Sequence, residues 1–221
     1  MGGVKLIVMM KCEFDFTEFR PECLSFYLSK VLGSLVLLGS LAVKLPQIIN
    51  IVMTKDIKGL SPSAFYTEVP LSITSIVYNY LQGNPFISYG ETCIISVQNV
   101  LLVLLLWMYM KPAPSLQTIL TVILVFIAVA CISFNLPVEQ QYLLPLATLP
   151  LILYSRGIQI YSNYSMGTTG QLSLITTLLQ FAGSLVRIFT TIQEVGLDLS
   201  LLAVISLSVI LNGILMSQVR R

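Results

Sequence analysis

Apolar residues run along this chain in long blocks, without the three-to-four-residue rhythm of a helix that keeps one wet face. Seven blocks, 30–53, 63–82, 88–110, 116–134, 139–162, 171–192 and 197–218, come close to the roughly 20 residues that a helix needs to cross a bilayer. The connections are short and hold turn-forming or charged residues: Lys55-Asp56-Ile57-Lys58-Gly59, Gly83-Asn84-Pro85, Lys111-Pro112-Ala113-Pro114 and 163–170. The pattern predicts an all-α integral membrane protein with seven transmembrane helices and no room for a soluble domain.

Polar residues inside these blocks refine the picture. Lys44-Leu45-Pro46-Gln47 in the first block returns in degenerate form as Arg156-Gly157-Ile158-Gln159 in the fifth. A cation, a helix breaker and an amide are costly in hydrocarbon, so their repetition points to a polar cavity between helices. Aligning the glutamines gives an offset of 159 − 47 = 112, which also places Leu60-Ser61 on Leu172-Ser173, Ser72 on Ser184 and Ile76 on Ile188. One constant offset is the mark of duplication. Four spans separate equivalent positions, so the repeat is three helices, and one linker helix makes the two copies parallel. The expected organisation is 3+1+3: an N-terminal luminal tail over 1–29, a first triple-helix bundle over 30–110, a linker helix over 111–138, a second bundle over 139–218 and a cytoplasmic C-terminus at 219–221.

Charge sets the orientation. Only a tenth of the residues are charged and none is histidine. Lys55 and Lys58 follow the first span, Lys111 follows the third, Arg156 lies near the end of the fifth, and Arg220 and Arg221 close the chain, which makes those connections cytoplasmic and the N-terminus luminal. Lys5, Lys11, Arg20 and Lys30 oppose this assignment but are interspersed with acids. The net charge of +2 gives no reason to invoke nucleic acid. The apolar run over 1–10 is too short for a span and is not read as a removed signal peptide. Cys12 and Cys23 on a luminal tail could form a disulfide or remain free thiols. Without histidine or a cysteine cluster no metal site is expected, and no cofactor is called for. Scattered carboxylates and the lack of an activated nucleophile argue against an enzyme.

The candidate chemistry is that of binding and bending. Pro46 should kink or break its helix and free a carbonyl beside Gln47, whereas the second copy keeps only Gln159, with Gly157 as a source of flexibility. Pro46 and Gly157 are therefore the candidate hinges. Asn99 and Asn212, 113 residues apart in apolar helices, are either interhelical glue or a pseudo-symmetric pair that contacts substrate. Arg187 requires an anion, which Glu68 or Glu91 could supply as an ion pair and a phosphate could supply as substrate. Lys44 poses the same question, with snorkelling to the interface as the alternative. Tyr78, Asn79 and Tyr80 can form an aromatic belt or a binding wall, and Trp107 reads as an interface anchor.

The segments KLPQI, KGLSPSAF, GIQIYSNYSMGTTGQLS and GSLVRIFTTIQE resemble the PQ-loop family, and within it the mannose-P-dolichol utilization defect proteins. The resemblance covers nearly the whole chain, from Ser29 to Gln218, and the lost second proline departs from it. It implies two triple-helix bundles around a central path, as in the related SWEET and cystinosin-like carriers. It further implies an endoplasmic reticulum membrane protein needed for using dolichol-phosphate-mannose and dolichol-phosphate-glucose in N-glycan and GPI-anchor assembly. Such a carrier would flip or present the lipid-linked sugar. Gln47, Asn99, Gln159 and Asn212 would meet the sugar, Arg187 or Lys44 the phosphate, and membrane lipids the polyprenyl chain. Competing functions are a chaperone or scaffold that delivers the lipid to luminal glycosyltransferases, and a proton-coupled carrier of small solutes with Glu68 or Glu91 as the coupling acid.

Overall fold

The computed structural model describes residues 21–57, 62–166 and 174–219, and among them every regular element is helical. In chain order these are α1 (Pro21–Val43), α2 (Leu45–Thr54), α3 (Pro62–Leu81), α4 (Gly90–Tyr109), α5 (Leu116–Phe134), α6 (Leu143–Leu146), α7 (Leu149–Met166), α8 (Leu174–Glu194) and α9 (Leu199–Val219). Short 3₁₀ turns at Phe86–Ser88 and Val138–Gln140 precede α4 and α6. Cys12 lies outside the described residues, while Cys23 is disulfide-bonded and Cys93 and Cys131 are free.

Proline decides where the expected spans break. The first begins at Pro21, ahead of residue 30, and is interrupted at Lys44. Pro46 falls in the opening turn of α2, where a missing N–H costs nothing. Of the expected kink or break, the structure shows the break, with Pro46 opening the second helix. The fifth span is divided among a 3₁₀ turn, α6 and α7, because Pro145 and Pro150 cannot donate to a continuous ladder. Gly157, the other expected hinge, lies within unbroken α7, and a Cβ built there would meet nothing within 4 Å.

Five stretches are long and apolar enough to cross a membrane: Cys23–Thr54, Gly90–Tyr109, Leu116–Phe134, Val138–Ser165 and Leu199–Gln218. The two remaining expected spans are present as α3 and α8 but fall short in apolarity. Each carries a polar stripe at helical spacing: Glu68, Ser72, Ser75 and Asn79 in α3, continued by Gln82 just past its end, and Gln180, Ser184, Arg187, Thr191 and Glu194 in α8. Every member of the second stripe stands 112 after its counterpart in the first, from 180 − 68 to 194 − 82. The two polar helices are thus each other's repeat equivalents.

Short connections fold α3 onto α4 and α8 onto α9. Helix α4 also packs on α1 and α2, α5 rests on α3, and α9 packs on α7. The contact of α1 with α8 joins the two sets. Ile51, Phe65, Leu102, Val103 and Leu106 form a buried core among α2, α3 and α4, against which Tyr66 and Trp107 pack. Trp107 donates its indole N–H to the Tyr66 hydroxyl at 2.8 Å, so it ties α4 to α3 as well as offering an aromatic surface. Leu120, Leu124, Ile127 and Ile132 on α5 are exposed, as a lipid-facing helix requires.

Candidate functional site

A cavity of about 170 Å³ lies between α3, α4, α8 and α9, near the end of the bundle that carries the 82–89 and 195–198 connections. Its polar wall includes Ser75, Asn79, Thr92, Thr148, Arg187 and Thr191, and Leu201, Val204 and Ile205 of α9 form an apolar side. The repeat offset runs through this wall. Ser75 with Arg187, Asn79 with Thr191, Tyr89 with Leu201 and Thr92 with Val204 are each 112 apart (187 − 75, 191 − 79, 201 − 89, 204 − 92). The cavity therefore straddles the relation between the repeats, where duplicated membrane proteins place substrates.

Arg187 lines the cavity and also forms an ion pair with Glu91 of α4, while donating to the Ser88 carbonyl at 3.1 Å. Glu91 lies in the first turn of α4, where the helix dipole favours an anion. The guanidinium thus has an internal counter-ion, and it is not waiting for a phosphate to neutralise it. Glu68, the other candidate partner, is engaged elsewhere.

Two further links join the repeats at this end. Buried Glu194 accepts from the Ser29 hydroxyl at 2.8 Å and forms a 2.7 Å ion pair with Lys30. Tyr78 donates to Asp198 at 2.5 Å, and Asp198 also accepts from the backbone N–H groups of Ser200 and Leu201 at 3.0 and 3.1 Å, capping α9. Of the aromatic stretch ending α3, Tyr78 and Asn79 are buried and Tyr80 is exposed. Burial pushes the Asp198 carboxyl up, but hydrogen bonds from Ser200, from Tyr78 and from the Leu201 and Ser200 backbone outweigh it and hold the group below the usual carboxylate range.

Asn99 and Asn212 are only 2% and 8% exposed, and the side-chain oxygen of each lacks a hydrogen-bond partner. Asn212 donates to the Gln180 carbonyl at 3.3 Å. Asn99 is seven residues beyond cavity-lining Thr92 (99 − 92), and Asn212 seven beyond cavity-lining Ile205 (212 − 205). Seven residues are close to two helical turns, so each asparagine shares its neighbour's face about 10 Å deeper. Two unsatisfied acceptors below a polar cavity are costly unless something donates to them.

The first PQ segment is held by a residue that sequence reasoning missed. Gln98 donates its side-chain amide to the Ser40 and Leu41 carbonyls at 3.2 and 2.8 Å and accepts from the Lys44 N–H at 3.3 Å. It occupies the place expected of Gln47, which is half-buried and makes no side-chain hydrogen bond among the described residues. Lys44 forms a 3.1 Å ion pair with Glu68 and lies 5.3 Å from the centre of the Phe65 ring. In the second copy, Arg156 donates to the side-chain oxygens of Gln159 and Gln180 at 3.4 and 3.2 Å. The structure thus groups Arg187, Ser75, Asn79 and Thr191 at the cavity, sets the asparagines below it, and leaves Lys44 and Arg156 with their glutamines toward the opposite end.

The PQ loop repeat family model matches the chain over residues 28–88 and again over residues 159–200, so the repeat is present in both halves. The two matches contain both polar stripes from Glu68 and Gln180 onward and both PQ-type glutamines, Gln47 and Gln159. No solved structure matches the chain.

Proposed function

We propose that this PQ-loop repeat protein is a membrane carrier whose two three-helix units, joined by α5, move or present the sugar headgroup of dolichol-phosphate-mannose or dolichol-phosphate-glucose. On this reading it acts in the endoplasmic reticulum membrane with its N-terminus luminal and its C-terminus cytoplasmic, and supplies luminal glycosyltransferases. The observation that carries the proposal is the cavity between repeats, with hydroxyls and an amide on one side, an apolar wall on the other and two unsatisfied asparagine oxygens beneath. A sugar ring matches that cavity: its hydroxyls can bond to the polar wall while its C–H faces lie against aliphatic side chains, and the asparagine oxygens would be met deeper along the path.

Size limits what enters. At roughly 30 Å³ per water the cavity corresponds to about six waters, enough for a headgroup and far too little for a polyprenyl chain. The lipid tail would stay outside, among the exposed apolar side chains of the helices. The same size supports a second reading, a carrier of a free small polar solute. Purified protein in liposomes should accelerate transbilayer movement of a dolichol-phosphate-mannose analogue. Rates equal to those of empty liposomes, with the fold confirmed, rule out direct movement, and uptake of free mannose without lipid movement selects the small-solute reading. Unchanged function after Asn99→Ala and Asn212→Ala, together with co-purification of glycosyltransferases, would instead point to a scaffold.

A further inference from the structure

The repeat places one cation in each half at equivalent positions, Lys44 and Arg156 (156 − 44 = 112), and one partner for each on the polar stripe, Glu68 and Gln180 (180 − 68 = 112). In the first half the partner is a carboxylate and the charge is neutralised at 3.1 Å. In the second half an amide stands in its place, at 3.2 Å. An amide oxygen accepts a hydrogen bond but brings no negative charge, so the guanidinium stays cationic. Lys30, Lys44 and Arg187 each meet a carboxylate, whereas no ion pair joins Arg156 to an acid among the described residues.

Arg156 is not at a helix end where water could solvate it freely. Ten residues separate it from Met166 at the end of α7 (166 − 156), about 15 Å along the helix at 1.5 Å per residue, so it falls within the apolar stretch Val138–Ser165. A cation at that depth calls for an anion. Gln180 begins the stripe that leads through Ser184 to Arg187 and the cavity, and it is itself exposed, so the guanidinium can be reached from outside. Gln159 and Gln180 turn their oxygens to Arg156 and leave their amide N–H groups as donors beside it. A guanidinium fork flanked by amide donors matches the oxygens of a phosphate.

We infer that Arg156, with Gln159 and Gln180, binds a phosphate group partway across the membrane. The inference deepens the carrier reading and rests on it for the source of the phosphate, which would be the lipid-linked sugar's own. A phosphate crossing the bilayer there would find its counter-ion at Arg156, while the cations first considered for that role keep their internal carboxylates.

The test uses the full chain in detergent micelles. The thermal unfolding midpoint is followed with inorganic phosphate against chloride at matched ionic strength, and with a polyprenyl monophosphate against the matching polyprenol. A ligand that binds the folded state raises the midpoint. The rise should occur in the wild type and be lost in Arg156→Gln and in Gln180→Glu, with affinity falling roughly ten- to a hundredfold. Gln180→Glu copies the Lys44–Glu68 arrangement, so without ligand it should melt at or above the wild type, which separates loss of binding from misfolding. A rise with the polyprenyl monophosphate alone identifies a lipid phosphate, with inorganic phosphate alone a soluble one, and with both a site that reads the phosphate itself. A rise with neither probe, or one that survives in either variant, overturns the proposal. Lipid movement in liposomes with phosphate affinity unchanged in the variants would remove the site and leave the carrier. Variant-sensitive binding without movement would do the reverse.

Discussion

Gln98 shows how one buried amide can hold a broken helix together. The interruption at Lys44 leaves the Ser40 and Leu41 carbonyls and the Lys44 N–H in need of partners, and Gln98 meets all three while 7% exposed. Gln98→Leu should leave buried groups unsatisfied at about 1–3 kcal/mol, seen as a midpoint lowered by about 2–4 °C per kcal/mol for a chain of this length; an unchanged midpoint would mean that water replaces the amide. Asp198 supplies a second test, through pH. Its folded value is depressed, so its ionised form stabilises the fold; that contribution is complete above about pH 3.9, the unfolded value, and is lost as pH falls through the folded value. Asp198→Asn should therefore melt below the wild type at neutral pH, with the gap closing below about pH 4. Neither role was read from the sequence, for different reasons. A single glutamine in an apolar helix looks the same whether it caps a neighbour's carbonyls or faces a cavity. Asp198-Leu199-Ser200 before an apolar run was a legible helix-start signal that went unused. For Arg187 the sequence did supply the ion pair with Glu91 as one of two alternatives, and the structure adds that the pair itself borders the cavity.

At the scale of elements, hydrophobic blocks located the helices well, and the errors cluster at prolines. Pro46 was expected to kink or break its span, and the span does break, ending at Val43 and resuming at Leu45; periodicity alone cannot tell a proline inside a helix from one opening the next, so the choice between kink and break needed the structure. The second expected hinge is more decisive. Gly157 lies mid-helix with open space around its Cα, and alanine is favoured over glycine in such a position by about 0.5–1 kcal/mol. Gly157→Ala should thus raise the midpoint or leave it unchanged, and transport should persist. A loss of transport with the fold intact would identify Gly157 as a hinge. The polar stripes of α3 and α8 were within reach of the sequence, since the 112-residue offset was known, but their shared role needed the cavity to be seen. Part of the low apolarity that separates these two helices from the other spans comes from Ser75, Asn79, Arg187 and Thr191, which line the cavity.

For the whole molecule, the distribution of polar links between halves is uneven among the described residues, and this asymmetry bears on how a path through it would open. Lys30 with Glu194, Glu91 with Arg187 and Tyr78 with Asp198 all join the first repeat to the second, and all lie toward the end with the 195–198 connection. Toward the opposite end Lys44 with Glu68, Tyr66 with Trp107, Arg156 with Gln180 and Asn163 with Gln218 each stay within one repeat. The first set clamps the halves together beside the cavity, and the second braces each half separately. Removing charge from the clamp should favour opening at that end. In a background where Cys93 and Cys131 are alanine, a cysteine replacing cavity-lining Thr92 would report on it through its rate of reaction with a membrane-impermeant thiol reagent applied from that side. Glu194→Gln leaves Lys30 without a counter-ion, and Glu91→Gln does the same to Arg187. Losing about 1.4 kcal/mol of closure raises the open population about tenfold, so each variant should speed modification by about that factor. Charge loss that leaves the rate unchanged would make these pairs static braces, whereas faster reaction only in the pair variants, and not after Glu68→Gln at the far end, would identify the clamp as the element that controls access to the cavity.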